Sequence, residues 1–197
     1  MKKSAQLVIT REQFAALAKP LVGLQVTRPW RDYASAVFLE LGPLMKIPSY
    51  RGSTGKTISP RPCGKACVML QWDWRVERPR AVDFGPGSSY RRIDNRIPGL
   101  KGTCVVEVKV VGRLPELLIA LSDNRLIHTF QITESPPGWV VFLPDGSWLT
   151  VERGRLVHGT QSLLSGCEHR GLHEIAARPK RFTRARRGER MKEKGKK

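Results

Sequence analysis

Short apolar segments separated by turn residues run from position 100 to position 157, and their alternation predicts an antiparallel sheet. Val106, Val108 and Val110 alternate with Glu107 and Lys109, which is the period-two pattern of a half-buried strand. The strands predicted in this half are 104–111, 117–121, 126–132, 139–143, 148–152 and a last edge at 156–157. Asp145 followed by Gly146 is the strongest hairpin signal in the chain. Several short strands at this spacing predict an antiparallel meander.

The first half has a fainter pattern of the same kind, preceded by a helix. Thr10 and Gln13 have the spacing of a capping box, and Phe14 and Leu17 share a helical face, so we predict a helix over 11–19. The strands predicted in this half are 22–26, stopped by Pro29, then 34–41, 66–76 and 81–84. The arginine-rich segment 90–98 predicts one helical turn or a loop, and the proline-rich, aperiodic segment 43–65 predicts a long loop.

The two halves resemble each other in sequence. VERPRAV at 76–82 and VERGRLV at 151–157 are the closest match, and other matched segments lie 79 or 80 residues apart. An internal duplication explains this spacing, and a chance repetition of strand and turn chemistry is the alternative. Four tryptophans, namely Trp72, Trp74, Trp139 and Trp148, are expected to anchor the core or its rim.

The predicted fold class is α+β, mainly antiparallel β, arranged as two duplicated half-sheets if the repeat is real. We divide the chain into an N-terminal helical segment 1–21, a first β-rich lobe 22–98, a second β-rich lobe 99–173 and a disordered basic tail 174–197. A chain of 197 residues suits either one domain with a substantial core or two small lobes.

A set of short motifs resembles a family of uncharacterised bacterial proteins, a domain of unknown function. The motifs are W-R-x-E from Trp74 to Glu77 and G-R-L-P-E from Gly112 to Glu116, followed by Leu121-Ser122 and Trp139. The resemblance covers about 22–157 and implies a β-rich fold and a bacterial origin, but no activity. The chain departs from the family pattern at Asn124, where a glycine is usual, and at the Pro137-Gly138 pair before Trp139.

Charge and cysteine usage limit the compartment and the partners. The net charge is +18, and the segment 178–197 alone has eleven Lys/Arg against two Glu. This excess favours a polyanionic partner, although solubility explains the charge of the body equally well. No apolar run is long enough for a membrane span or a signal peptide. Four scattered cysteines are typical of reduced thiols, so we expect a cytoplasmic protein.

The basic tail carries most of the candidate nucleic-acid contacts. Side chains at this density release counterions from phosphates, which gives strong, salt-sensitive binding with little sequence preference. The predicted contact residues are Arg181, Arg184, Arg186, Arg187 and Arg190, with Lys56, Arg91 and Arg92 as weaker contributors. We therefore expect a non-enzymatic binding module for nucleic acid or another polyanion. The alternatives are a solubilising extension, or a protein-binding module such as an immunity-like partner of a toxin.

Other chemistry has weaker support. The run 52–57, GSTGKT, resembles a phosphate-binding loop, but Tyr50 stands where the pattern needs glycine and Pro60 prevents a following helix. A zinc site is a weak hypothesis whose candidate ligands are Cys63, Cys67, Cys167 and His169, with His173 nearby. No nucleophile, base and acid stand in a recognisable catalytic motif, so neither a catalytic residue nor a cofactor is assigned.

Overall fold

The structure is a computed structural model, and it describes residues 5–46, 48–51, 57–58, 61–130 and 138–160. It contains helix α1 (Arg11–Ala18), which runs into a 3₁₀ turn at Lys19–Leu21, and helix α2 (Tyr90–Arg96), which runs into a 3₁₀ turn at Ile97–Leu100. The strands are β1 Ala5–Val8, β2 Val26–Arg31, β3 Val37–Leu41, β4 Tyr50–Arg51, β5 Thr57–Ile58, β6 Ala66–Leu70, β7 Trp74–Arg78, β8 Ala81–Phe84, β9 Val105–Val111, β10 Glu116–Leu121, β11 Leu126–Thr129, β12 Trp139–Phe142, β13 Ser147–Glu152 and β14 Arg155–Thr160.

Side-chain caps start both helices. The Thr10 hydroxyl accepts a hydrogen bond from the amide of Gln13 (3.2 Å), and the Gln13 side chain accepts one from the amide of Thr10 (2.8 Å), which confirms the predicted capping box. The Ser89 hydroxyl accepts from the amide of Arg92 (3.3 Å), so the ambiguous segment 90–98 is helical. Each helix buries only a narrow apolar stripe, and the remaining side chains face solvent.

The strands form two antiparallel sheets, which confirms the α+β, mainly antiparallel class. The larger sheet has the order β1-β14-β13-β12-β6-β3-β2, and the smaller has the order β8-β7-β11-β10-β9. The inner faces of both sheets and the apolar stripes of both helices contribute to one hydrophobic cluster. Both helices and both sheets therefore depend on a shared core, and removing apolar contacts from one side exposes the other.

Strands are exchanged between the two sheets. The predicted strand 66–76 is two strands, because β6 lies in the larger sheet and β7 in the smaller, with Trp72 between them at φ +60°. In the second half, β11 lies in the smaller sheet and β12 in the larger. The predicted boundary between 22–98 and 99–173 therefore does not separate two lobes, since each sheet contains strands from both segments.

Three further predictions, two of strands and one of a loop, need correction. Pro29 does not stop the first strand: β2 runs through it, which is tolerated because β2 is the last strand in the order of the larger sheet and Pro29 lies beyond the residues that bond the second half. The predicted valine face of β9 is correct for Val108 and Val110 but wrong for Val106, since a register shift beside Val106 leaves that residue 55% exposed and places Val105 in the core. The segment 43–65 is not an unstructured loop throughout, because β4 pairs with β5.

A junction of reciprocal backbone hydrogen bonds joins the two halves. The amide of Gly23 donates to Val105 O (2.8 Å), and the amide of Gly102 donates to Val26 O (2.9 Å). The second pair runs from Val26 N to Thr103 O (2.8 Å) and from Val105 N to Leu24 O (2.9 Å). Gln25 and Cys104 face each other between these bonds in an antiparallel bridge.

The junction has the geometry of a local twofold axis. Every hydrogen bond in it maps onto another when 79 is added to one residue number and subtracted from the other, as Gly23 to Val105 becomes Gly102 to Val26. Such reciprocity is the property of a twofold contact between like units. Gly23 and Gly102 share φ values of +86° and +90°, a conformation that favours glycine. The two helices therefore end beside each other at one junction.

A second pair of matching contacts is made by two buried indoles, at the points where the chain passes from one sheet to the other. Trp74 begins β7 and donates from Nε1 to Ser35 O (3.0 Å), in the turn between β2 and β3. Trp139 begins β12 and donates from Nε1 to Pro115 O (3.2 Å), in the turn between β9 and β10. Each indole thus fastens an exchanged strand to the hairpin of the opposite sheet. The origin of these matches in an internal duplication stays a prediction.

Replacing either buried indole should destabilise the fold, whereas replacing its exposed neighbour should not. We expect Trp74→Phe and Trp139→Phe each to lower the free energy of unfolding by about 1–3 kcal/mol, because a main-chain carbonyl loses its hydrogen-bond donor and the core loses volume. Trp72→Phe is the matched control, since Trp72 is 42% exposed and should change stability by less than about 0.5 kcal/mol. Urea unfolding of the three variants measures this, and equal effects at positions 72 and 74 would contradict it.

Candidate polyanion-binding surface

The structure places two of the sequence-predicted contact residues on α2. Arg91 is exposed, and Arg92 donates from Nε and Nη2 to the main-chain oxygen of Asp83 (3.2 and 2.7 Å). Arg92 is thus held by a neutral carbonyl, which fixes the guanidinium without cancelling its charge. The remaining predicted contacts lie outside the described residues, namely Lys56, Arg181, Arg184, Arg186, Arg187 and Arg190.

Four further basic side chains lie on the two helices and their 3₁₀ turns, where the prediction did not place them. Together with Arg91 and Arg92 they are the exposed basic side chains of α1, α2 and the turns that follow them, a set that we call the helix face. Its exposed basic residues are Arg11, Lys19, Arg91, Arg92, Arg96 and Lys101, and its exposed acidic residues are Glu12 and Asp94. The sequence separates the two groups by 72 or more positions, so only the junction between Gly23 and Gly102 shows that they belong to adjacent elements.

The acidic side chains of the helix face are partly compensated. Arg31 forms a bidentate pair with Asp94, from Nε to Oδ1 (2.6 Å) and from Nη2 to Oδ2 (2.8 Å), and this guanidinium lowers the pKa of Asp94. The Arg31 guanidinium also lies 4.8 Å from the centre of the Tyr90 ring. With Asp94 paired to Arg31, Glu12 is the other acidic side chain that opposes the positive charge among the helix-face residues named above.

Arg11 is positioned by carbonyls in the same way as Arg92. Its Nη1 donates to Val110 O (3.2 Å), and its Nη2 donates to Gly112 O. These bonds fasten the start of α1 to the end of β9 while leaving a full positive charge at the surface. The helix face therefore combines arginines that are held by hydrogen bonds with lysines that have long, flexible side chains. This composition is suited to phosphate groups.

Of the hypothesised zinc ligands, the structure describes Cys63 and Cys67, and neither is available as a thiolate. Cys63 is disulfide-bonded, which contradicts the expectation of a reduced thiol at this position and removes it as a thiolate ligand. Cys67 is buried, and burial together with the nearby Glu40 carboxylate raises the pKa of its thiol well above the ordinary value. A raised pKa is the opposite of what a metal ligand or nucleophile needs. Within the described ranges no three potential ligands lie together, while Cys167 and His169 lie outside those ranges.

Glu40 is the carboxylate of this buried pair. Its Oε2 accepts from the amide of Gly64 (2.9 Å), and its Oε1 accepts from the indole nitrogen of Trp30 (3.2 Å). Burial nevertheless raises the pKa of Glu40 above the ordinary value of 4.5, against the opposite effect of these hydrogen bonds. The side chain of Glu40 therefore links the segment before β6 to Trp30 of β2.

The free energy of unfolding should depend on pH through the titration of Glu40. Below pH 4.5 the carboxyl is protonated in both the folded and the unfolded chain. As the pH rises from there to the higher pKa of the folded state, the unfolded chain releases the proton first, so stability relative to a non-titrating variant falls. We expect the free energy of unfolding of the wild type minus that of Glu40→Gln to decrease across this interval and then to level off. Urea unfolding of both proteins across the pH range measures it; a pH-independent difference would contradict it.

Comparisons with protein-family models, with curated proteins and with solved structures gave no match. The resemblance to a family of uncharacterised bacterial proteins therefore stays a prediction. Among the described residues, no helix is long and apolar enough to cross a membrane.

Proposed function

We propose that this protein binds nucleic acid, or another polyanion, through non-covalent contacts of the helix face and the basic tail. The observation that supports it best is the charge of the helix face, where six exposed Lys/Arg side chains stand against two exposed acidic ones; Asp94 pairs with Arg31, and Arg96 pairs with the buried Asp83. Side chains of this kind displace counterions from phosphates, and that release drives binding. We further propose a bacterial, cytoplasmic and non-enzymatic binding module.

The local twofold at the junction suits a duplex. The two strands of duplex nucleic acid run antiparallel, so their phosphates are themselves related by twofold axes perpendicular to the duplex. Each of the two helices that lead to the junction carries basic side chains, Arg11 and Lys19 on one side and Arg91 and Arg96 on the other, although these side chains do not occupy equivalent positions. Their side chains are too few to read bases at many positions, so we expect binding that depends on the backbone more than on sequence.

The tail should add affinity without adding specificity. Deleting 178–197 removes eleven Lys/Arg and two Glu. We expect the truncated protein to bind duplex DNA more weakly and with a flatter dependence of log K on log salt, because fewer counterions are released. Fluorescence anisotropy at several salt concentrations measures both quantities. Unchanged affinity and slope would show that the tail makes no contact.

Charge reversal on the helix face tests the contribution of the folded body. We expect the triple variant Lys19→Glu, Arg91→Glu, Lys101→Glu to bind the same duplex with a salt slope reduced by about two to three units, since each lost phosphate contact lowers the slope by about 0.9. The control is Arg153→Glu with Arg155→Glu, two exposed arginines of the β13–β14 hairpin outside the helix face. An equal loss in both variants would contradict a localised surface.

A protein partner is the second candidate, and one observation favours it. Edge strand β1 exposes Leu7 and Val8, which are 63% and 65% accessible, at the end of the larger sheet. An exposed apolar edge is suited to pairing with a strand of another protein. Affinity capture with and without nuclease separates the two candidates, because a protein partner stays bound after nuclease treatment and a partner bridged by nucleic acid is lost.

A further inference from the structure

A polar cavity of about 420 Å³ opens beside the helix face. It lies where the turn between β7 and β8, the end of α2 and the turn between β10 and β11 come together. Three arginines line it, namely Arg78, Arg96 and Arg125, and so do two carboxylates, Asp83 and Asp123. The cavity shares Arg96 with the helix face, so a ligand lying along that surface reaches it directly.

The buried carboxylate of Asp83 positions two of the arginines. Its side chain is 3% exposed, with Oδ2 at 3.2 Å from Nε of Arg78 and Oδ1 at 3.5 Å from Nε of Arg96. In each printed pair the nitrogen facing Asp83 is Nε, and the two Nη groups of each guanidinium are further donors that a ligand can engage. The side chains of Arg78 and Arg96 are 52% and 47% exposed, so those groups are accessible to a ligand.

Arg125 forms a more rigid wall of the cavity. Its Nε donates to Oδ2 of Asp123 (2.7 Å), and its Nη2 donates to the main-chain oxygen of Gly99 (2.5 Å). The side chain is only 12% exposed, so its orientation is fixed before any ligand arrives. Preorganised guanidinium groups bind anions more tightly because less conformational entropy is lost on binding.

The balance of charge selects the ligand. Three guanidinium groups and two carboxylates leave a surplus of one positive charge, which matches the single negative charge of a phosphodiester. A free phosphate or a terminal phosphomonoester carries about −1.5 to −2 at neutral pH, so its complex with this site would keep an uncompensated negative charge. The volume also lies in the range of small-molecule sites, larger than one phosphate needs.

We propose that this cavity binds one nucleotide unit of a nucleic-acid strand, with its backbone phosphodiester held by Arg78, Arg96 and Arg125. The proposal rests on the proposed function, since it names a specific phosphate contact at the border of the helix face. The carboxylate of Asp83 acts as a positioning group: it orients two guanidinium groups and does not itself touch the phosphate.

The experiment compares equivalent arginines of two similar hairpins. Arg78 lies in the sequence VERPR and Arg153 in VERGR, so Arg78→Gln and Arg153→Gln remove the same charge from matched positions, of which only the first lines the cavity. We expect Arg78→Gln to weaken binding of a fluorescein-labelled duplex DNA about tenfold and to lower the salt slope by about 0.9, whereas Arg153→Gln should match the wild type. Thermal unfolding of both variants checks that they fold.

A measurement on the unaltered full chain does not depend on variants folding. The side-chain Nε resonances of Arg78, Arg96 and Arg125 should shift together when ¹⁵N-labelled protein is titrated with the duplex, and should stay unmoved with inorganic phosphate at the same phosphate concentration. Saturable shifts with inorganic phosphate would overturn the assignment to a phosphodiester.

The two proposals can fail separately. If the wild type binds the duplex but the three arginine resonances do not shift and Arg78→Gln binds as tightly as Arg153→Gln, the cavity proposal is wrong and the helix face stands. If the wild type shows no salt-dependent binding to duplex, the proposed function fails, and the cavity proposal fails with it.

Discussion

The reciprocal hydrogen bonds between 23–26 and 102–105 are the constraint on which the rest of the structure depends. They join two edge strands, β2 and β9, at their first residues, so neither sheet ends freely at this point. They also bring the ends of both helices together, with Leu21 and Leu100 completely buried next to the joined strands. Main-chain amides and carbonyls that lack hydrogen-bond partners inside a protein are costly. The positive φ angles of Gly23 and Gly102 allow all four hydrogen bonds of the junction to form.

The exchange of strands between sheets follows from the same geometry. After β6 the chain passes to the smaller sheet, with Asp73 just before β7. After β11 it passes to the larger sheet, with Gly138 just before β12. Two hydrogen bonds connect these two crossings. The amide of Gln71 donates to Gly138 O (2.7 Å), and the amide of Phe130 donates to Asp73 O (2.8 Å). Local opening of one sheet therefore breaks contacts in the other, which favours cooperative unfolding.

Sequence patterns predicted the elements better than their assembly. The capping box at Thr10 and Gln13 and the turn at Asp145 and Gly146 depend on local chemistry, and both are present as predicted. The break between β6 and β7 was missed because apolar residues continue the alternation through Trp72, whose positive φ leaves no signal in the sequence. The buried position of Val105 was missed for a similar reason, since one extra residue in a bulge reverses the face of every residue before it.

The helix face was beyond sequence reasoning for a different reason. Linear charge counting identifies the tail, where basic residues are dense, but gives little weight to Lys19 and Lys101, which are isolated in the chain. Electrostatic potential depends on distance in space, and the junction places the turns after both helices beside each other. The contacts of single side chains are likewise set by the fold and not by the linear sequence. Arg92 is held by the carbonyl of Asp83, and Arg11 by the carbonyls of Val110 and Gly112, so both keep their charge. A fold that positions cations without neutralising them maintains a directed positive potential.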